Sequence, residues 1–296
     1  MSGPPPAARP AVALVTGCSS GIGRATAARL HRAGLRVVAT ARKPETLEEA
    51  ARAGMDTLPL DVTDAASAEA AVEATTARHG GVDVLVNNAG YGLSGTVEET
   101  ELERVREQFE TNVLGLVRLT QLVLPGMRRR GGGRIVNVSS IFGRYAVPGG
   151  GLYAASKHAV EALSDALRLE TAAFGVRVVA VAPGPVRTPW GQGFLDQLPT
   201  GRADSPYRGF HERAAEYYGA IYHRSRRSLA GAFAIEPERV AAVVERAVRA
   251  RRPRARYPVG FLASSTLALR RLAPDGVFDH AFVRRQFPVP RPDDPR

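Results

Sequence analysis

The chain has 296 residues, 44% apolar and 23% charged, enough to close a sizeable core and too apolar for a disordered tail. A single cysteine, Cys18, excludes an internal disulfide framework and any zinc site built from several cysteines, so nothing calls for an oxidising compartment and a cytoplasmic location is expected. The formal charge of +11 is carried almost wholly by arginine, Lys43 and Lys157 being the two lysines, and no apolar run reaches the about 18 residues that a transmembrane helix needs.

Residues 1–10, rich in Pro and Ala without a basic-then-apolar signal pattern, read as a flexible leader. From residue 11 apolar runs alternate with helical patterns, which predicts an α/β fold, a doubly wound parallel sheet of six to seven strands with helices on both faces. Strands are expected at residues 12–16, 36–40, 57–60, 82–87, 134–138 and 176–181, and helices at 21–33, 46–53, 65–79, 101–129 and 153–174. Without an internal repeat or a low-complexity linker, residues 11–296 read as a single domain. Residues 191–235 would form a substrate lid or loop region, with one good helical stretch at 210–225. Residues 236–296 read as a C-terminal extension: an amphipathic helix at 237–251, a short strand at 255–259 that would make the sheet's seventh member, and a helix at 264–271.

Between the first strand and first helix stands Thr16-Gly17-Cys18-Ser19-Ser20-Gly21-Ile22-Gly23. Its glycines allow a tight turn and close approach of a pyrophosphate, and the helix N-terminus behind them offers unpaired N–H groups and a favourable dipole. Alone, such a turn is often only a turn. The second strand ends in Arg42 and Lys43, where an NAD enzyme would carry an acid for the adenosine ribose. An arginine there can hold a 2′-phosphate bidentately with the lysine as a further charge, favouring NADP(H) with NAD(H) as the alternative; an exposed pair at a helix start is the other reading.

Ser140, Tyr153 and Lys157 form the most informative group. Tyr-x3-Lys at helical spacing puts phenol and ammonium on one face, a turn apart. A phenol of ordinary pKa about 10 is a poor acid–base group at neutral pH, and a neighbouring cation is expected to lower it. Ser140, at the end of the fifth strand, would hydrogen-bond a substrate carbonyl or alkoxide. A surface Tyr–Lys pair beside a strand-end serine remains possible for each element taken separately. The six histidines show no metal-ligand spacing, so no metal site is expected, and Cys18 reads as a small buried thiol. Trp190, Phe194, Phe210, Tyr217, Tyr218 and Tyr222 either line an apolar pocket or pack a lid. Positive charge is densest at Arg249, Arg251, Arg252, Arg254 and Arg256. Such a patch attracts phosphates or anionic lipid, yet no nucleic-acid-binding signature accompanies it. It reads as a solvated face, with no nucleic-acid partner and only weak membrane-surface contact.

Over about residues 11–190 the chain resembles the short-chain dehydrogenase/reductase family, through Thr-Gly-x3-Gly-Ile-Gly, Asp61-Val62, Asn87-Asn88-Ala89-Gly90, Asn112, Ser140, Tyr153-Ala-Ala-Ser-Lys157 and Pro183-Gly184-Pro185-Val186-Arg187-Thr188. The resemblance implies a Rossmann-type fold and several site residues. Asp61 and Val62 would contact adenine, and Asn88, Ala89 and Gly90 would flank the cofactor beside Gly17, Ser19, Ser20, Gly21, Ile22 and Gly23. Lys157 would also bind the nicotinamide ribose, Asn112 would hold a water of a proton relay, and Val186 and Thr188 would meet the carboxamide beyond Pro183 and Gly184. The family's spacing selects Ser140, with Ser139 as runner-up; Asp61 as a helix N-cap, Asn87–Gly90 as an ordinary turn and Asn112 as a locally satisfied helix residue are the plainer readings. The stretch after Pro189 and residues 254–260 look like the retinol and 17β-hydroxysteroid dehydrogenase subset, which implies a lipophilic substrate. The function implied is NADP(H)-dependent interconversion of an alcohol and a ketone or aldehyde, in a homodimer or homotetramer. Its rivals are an NAD-dependent dehydrogenase of the same family, a non-catalytic nucleotide sensor or scaffold, and a nucleic-acid or membrane-surface binder using the C-terminal arginines.

Overall fold

The computed structural model describes residues 10–200, 204–222, 234–287 and 289–290; the expected leader, Pro10 apart, and the end of the helix expected at 210–225 lie outside the described residues. Seven parallel strands form one sheet, β1 (Val12–Val15), β2 (Arg36–Ala41), β3 (Asp56–Pro59), β4 (Val84–Asn87), β5 (Gly133–Val138), β6 (Val176–Pro183) and β7 (Arg256–Val259), in the order β3-β2-β1-β4-β5-β6-β7. The order reverses between β1 and β4, where open α/β sheets leave a crevice at the strands' carboxyl ends. β7 pairs with β6 through Ala180 and Arg256, so the last third of the chain extends the sheet as expected.

Strand side chains alternate between the two faces. On one, Ala13, Val15, Val37, Ala39 and Val86 pack with Ala27 and Leu30 of α1 (Gly21–Arg32). On the other, Val12, Leu14, Val38, Leu85 and Ile135 meet Ala68, Ala71 and Val72 of α3 (Ala65–His79) and Leu119, Val123 and Met127. Both faces are covered, which explains why β1 is apolar throughout and β4 is apolar up to Asn87. The helix expected at 46–53 is a 3-10 turn, Pro44–Leu47, running into the short α2 (Glu48–Arg52). That expected at 101–129 is α4 (Leu102–Phe109) and α5 (Gly115–Arg129) joined by a π-helical turn, Glu110–Leu114.

α6 (Gly151–Glu170) follows β5. Beyond β6 come α7 (Pro189–Leu195), α8 (Arg208–Tyr222), α9 (Pro237–Arg249), α10 (Phe261–Leu272) and α11 (Asp275–Phe278). α9 adds Val240 and Val244 to the first core face, whereas two smaller aromatic clusters hold the rest. Phe194, Phe210, Tyr218 and Ile221 form one; Ile141, Tyr145, Ala263 and Phe278 form the other.

Candidate active site

The glycine-rich turn is latched to the end of β4. Thr16 Oγ1 accepts from the backbone N–H groups of Asn88 and Ala89, both at 2.9 Å, and the Asn88 amide donates to the carbonyls of Thr16 at 2.9 Å and Gly17 at 3.2 Å. Gly17 has φ +71, a conformation that side chains resist. A Cβ on Gly23 would lie 2.1 Å from the Gly17 carbonyl oxygen, so this glycine is needed for close packing of turn on helix. α1 begins at Ser20 with no side-chain cap and no acidic residue in its first turn, leaving N–H groups for an anion. Cys18 is buried in this turn, its Sγ against the Val15 carbonyl at 3.2 Å, and burial pushes the thiol up to about 12; it is an inert small side chain.

From here a crevice of about 570 Å³ runs along the carboxyl edge of the sheet. Ser19, Ser20, Gly21 and Ile22 line one stretch; Ala41, Arg42, Leu60, Asp61, Val62 and Ala89 line its neighbour. Asp61 Oδ1 accepts from the Thr63 N–H at 2.9 Å and hydroxyl at 2.7 Å, while the N-cap of α3 is Asp64, which accepts from Ala66 N–H at 2.9 Å. Of the two cations ending β2, Arg42 lines the crevice and Lys43 does not. Lys43 is exposed, and its carbonyl accepts from Thr46, opening the 3-10 turn.

At the other end Gly90, Ser140, Tyr153, Lys157, Pro183, Gly184, Val186 and Thr188 converge. β5 and the turn after it deliver Ser140, whose hydroxyl caps Phe142 N–H at 3.2 Å. α6 delivers Tyr153 and Lys157; Lys157 Nζ lies 5.9 Å from the Tyr153 ring centre and donates to the Val138 carbonyl at 2.9 Å. Asn112 stands behind this wall, not in it. The π-helical turn aims its side chain at Tyr91, donating to the carbonyl at 2.9 Å and accepting from the N–H at 3.1 Å, with a further donation to Ser156 Oγ at 3.1 Å. A second cavity of about 10 Å³ separates Asn112 from Lys157. Gly23 also supports the crevice without lining it, and Ser139 lines it beside Ser140.

The electrostatics differ from the expectation that Lys157 lowers the phenol. Burial raises Tyr153 well above the ordinary value, its ring packed against Trp190 at 5.2 Å, and the Ser140 hydroxyl pulls only partly the other way. Lys157 is itself drawn down to about 8 by burial, against the pull of Glu161. Tyr153 is therefore a neutral acid, and Lys157 a cation close to its midpoint.

Beyond Tyr153 the crevice is aromatic. Trp190, Tyr217, Tyr218 and Tyr222 line it, whereas Phe194 stacks behind Trp190 at 5.4 Å and Phe210 is buried in the same cluster, so the six candidates divide between pocket and lid. Phe142, Tyr145, Leu262, Phe282 and Phe287 complete the wall. They carry no motif, and only the folding of the last helices over the β5 turn brings them here. Thr16 and Ser156, present in the motifs without a role of their own, and Tyr91, outside every motif, brace the site through partners far along the chain. The arginine patch splits, with Arg249, Arg251, Arg252 and Arg254 exposed and Arg256 turned inward. Among the described residues no group of three or more His, Cys, Asp or Glu could hold a metal ion and no helix is long and apolar enough to cross a membrane; His223 lies outside them.

An uncapped helix N-terminus behind a glycine turn, facing a buried Tyr-Lys-Ser group across the switch point of a parallel sheet, defines a nucleotide-dependent oxidoreductase site, and a dinucleotide fits it. The family described as short chain dehydrogenase matches residues 11–198. The chain is 35% identical over 267 residues to the uncharacterized oxidoreductase YbbO of Escherichia coli K12, covering 90% of this chain and 91% of that protein. It is 36% identical over 275 residues to retinol dehydrogenase 8 of Bos taurus, covering 90% and 87%. Among solved structures, a short-chain dehydrogenase from Streptomyces avermitilis aligns with TM-score 0.75 and 32% identity over 94% of this chain and 98% of that one. Two others were solved with nucleotides: actinorhodin polyketide ketoreductase with NADPH (TM-score 0.69, 35% identity, 86% and 97% covered) and a 3-ketoacyl-(acyl-carrier-protein) reductase from Brucella melitensis with NADH (0.66, 27%, 84% and 96%). The chain belongs to the short-chain dehydrogenase/reductase family and is an NAD(P)-dependent oxidoreductase.

Proposed function

We propose that the protein uses NADP(H) to interconvert a lipophilic alcohol and its ketone or aldehyde. The observation that carries this reading is the convergence of Ser140, Tyr153 and Lys157 on one wall of a crevice that is lined by the glycine turn at one end and aromatic at the other. A nicotinamide dinucleotide bound there supplies or accepts the hydride. Gly17 to Ile22 would cradle its phosphates, Arg42 would pair with a 2′-phosphate, Asp61 and Val62 would flank the adenine, and Val186 and Thr188 the carboxamide.

In reduction, Ser140 donates a hydrogen bond to the substrate oxygen and Tyr153 delivers the proton as general acid. Lys157 holds positive charge beside the phenolate as it forms. The cavity of about 10 Å³ between Lys157 and Asn112 has the volume of one water, which supports a proton relay through Asn112. In oxidation Tyr153 acts as the base. The aromatic wall favours a lipophilic substrate, and Cys18, inert and alone, suits the cytoplasm. Exposed Leu102 on α4, Leu114 beside α5 and Leu169 on α6 support a homodimer or homotetramer.

Tyr153→Phe is expected to keep nucleotide binding, read by calorimetry, and to lose turnover, read from nicotinamide absorbance with steroids, retinoids and aliphatic ketones. Full activity in that variant defeats the mechanism, and a wild-type protein that binds NADPH but reduces nothing in the panel makes it a sensor. Arg42→Ala is expected to raise KM for NADPH about tenfold with little change for NADH, the loss of one charge-assisted pair; an unchanged preference moves the assignment to NAD(H).

A further inference from the structure

Tyr153, Lys157, Glu161 and Asp165 recur at every fourth residue of α6 and project from one face. The first two line the crevice, and no step above uses the others. Glu161 is 2% exposed, and a carboxylate so buried is costly unless it is paired. It is not left by itself. Arg256, carried in by β7, ion-pairs with Glu161 Oε2 and reaches Asp165 Oδ2 at 3.1 Å. The other oxygen, Oε1, has no hydrogen-bond partner among the described residues. Gly143, in the turn after β5, closes over this carboxylate: a Cβ there would lie 2.8 Å from Glu161 Cγ, 2.8 Å from Ser139 Oγ and 2.9 Å from the Lys157 carbonyl oxygen.

We infer that Glu161 is a positioning residue that keeps Lys157 cationic, with Arg256 pairing with the Glu161 carboxylate and fixing its place. This rests on the reading of Lys157 as a working cation. Along the α6 face the charges then alternate, Lys157 positive, Glu161 negative, Arg256 positive, Asp165 negative, so that an ammonium buried at the reacting wall is balanced by a chain of partners that ends at the sheet edge. The other groups facing Lys157 are neutral: Tyr153 on its own helix, Ser139, Ser140 and the Val138 carbonyl from the end of β5, and Asn112 from the π-helical turn. Glu161 faces Arg256 from β7, Lys157 and Asp165 on its own helix, and Ser139 and Gly143 from the β5 turn. Among the described residues Glu161 is accordingly the charge that holds the Lys157 midpoint up against burial. Arg256 is raised by both carboxylates.

Lys43 and Lys157 are the two lysines, so competitive acetylation of the nucleotide-free protein, resolved by mass spectrometry, reads the Lys157 titration directly with exposed Lys43 as internal reference. In the parent protein the Lys157 midpoint is expected near pH 8. Glu161→Gln is expected to lower it by about one pH unit or more, the size of effect one nearby opposite charge exerts, and Glu161→Asp to restore most of it, with the Lys43 midpoint unmoved throughout. Where Glu161→Gln does not fold, Arg256→Gln asks the same from β7: the carboxylate loses the guanidinium that fixes it, and the Lys157 midpoint is expected to move from its parent value. An unmoved Lys157 midpoint beside a lowered Tm overturns the inference and leaves Glu161 a packing residue. A midpoint that moves in a protein reducing no substrate keeps the coupling and defeats the proposed chemistry, whereas an unmoved midpoint in an active enzyme does the reverse.

Discussion

In the proposed mechanism Lys157 is the residue whose charge state sets the chemistry. Burial places its midpoint at about 8, so it is cationic below that pH and neutral above it, while Tyr153, raised by burial, stays protonated across the same range. Reduction as proposed needs the proton on Tyr153 and the charge on Lys157 together. Its kcat/KM is therefore expected to be level below the Lys157 midpoint and to fall about tenfold per pH unit above it, and initial rates with a good ketone substrate over a buffered pH series check this. A limb that appears only at the ordinary lysine pKa would mean that the ammonium is solvated during turnover. The spacing of Tyr153 and Lys157 was legible as a unit, but the direction of the phenol's shift was not. That direction is set by burial against other elements, which pack side chains such as Trp190, 5.2 Å away, onto the ring.

Among the elements, the glycine turn and the π-helical turn show how far a motif's meaning depends on a distant partner. Thr16 opens the glycine motif, yet its function is to hold Asn88 and Ala89 at the end of β4, with the crevice floor between them. Thr16→Ala removes the acceptor of two backbone N–H groups and is expected to cost about 1–3 kcal/mol, seen as a lower Tm together with weaker nucleotide binding; an unchanged Tm would show that water replaces the hydroxyl. The segment around Asn112 was legible as one long helix, 101–129. Its π-helical turn, which carries Asn112 to Tyr91, 21 positions earlier, and to Ser156 on α6, leaves no mark in the spacing of apolar residues.

For the whole molecule, the last third of the chain changes character between sequence and structure. Scattered aromatic residues without a period become two clusters that roof the reacting end, and β7 brings Arg256 across the sheet to α6. Leu114 and Leu169, 48% and 71% exposed, lie on or beside the long helices. The paired substitution Leu114→Arg and Leu169→Arg is expected to shift the protein from an oligomer to a monomer in light scattering, with little loss of Tm; a parent protein already monomeric at working concentration would refute this. The sequence by itself determined the alternation of strand and helix, the glycine turn and the Tyr-Lys pair, because each is written in spacings of a few residues that backbone geometry reads directly. Only the tertiary structure decided which aromatic residues face the pocket, which of Arg42 and Lys43 lines the crevice, and what balances Lys157. Those outcomes depend on burial and on partners far apart in the chain, and no local pattern encodes them.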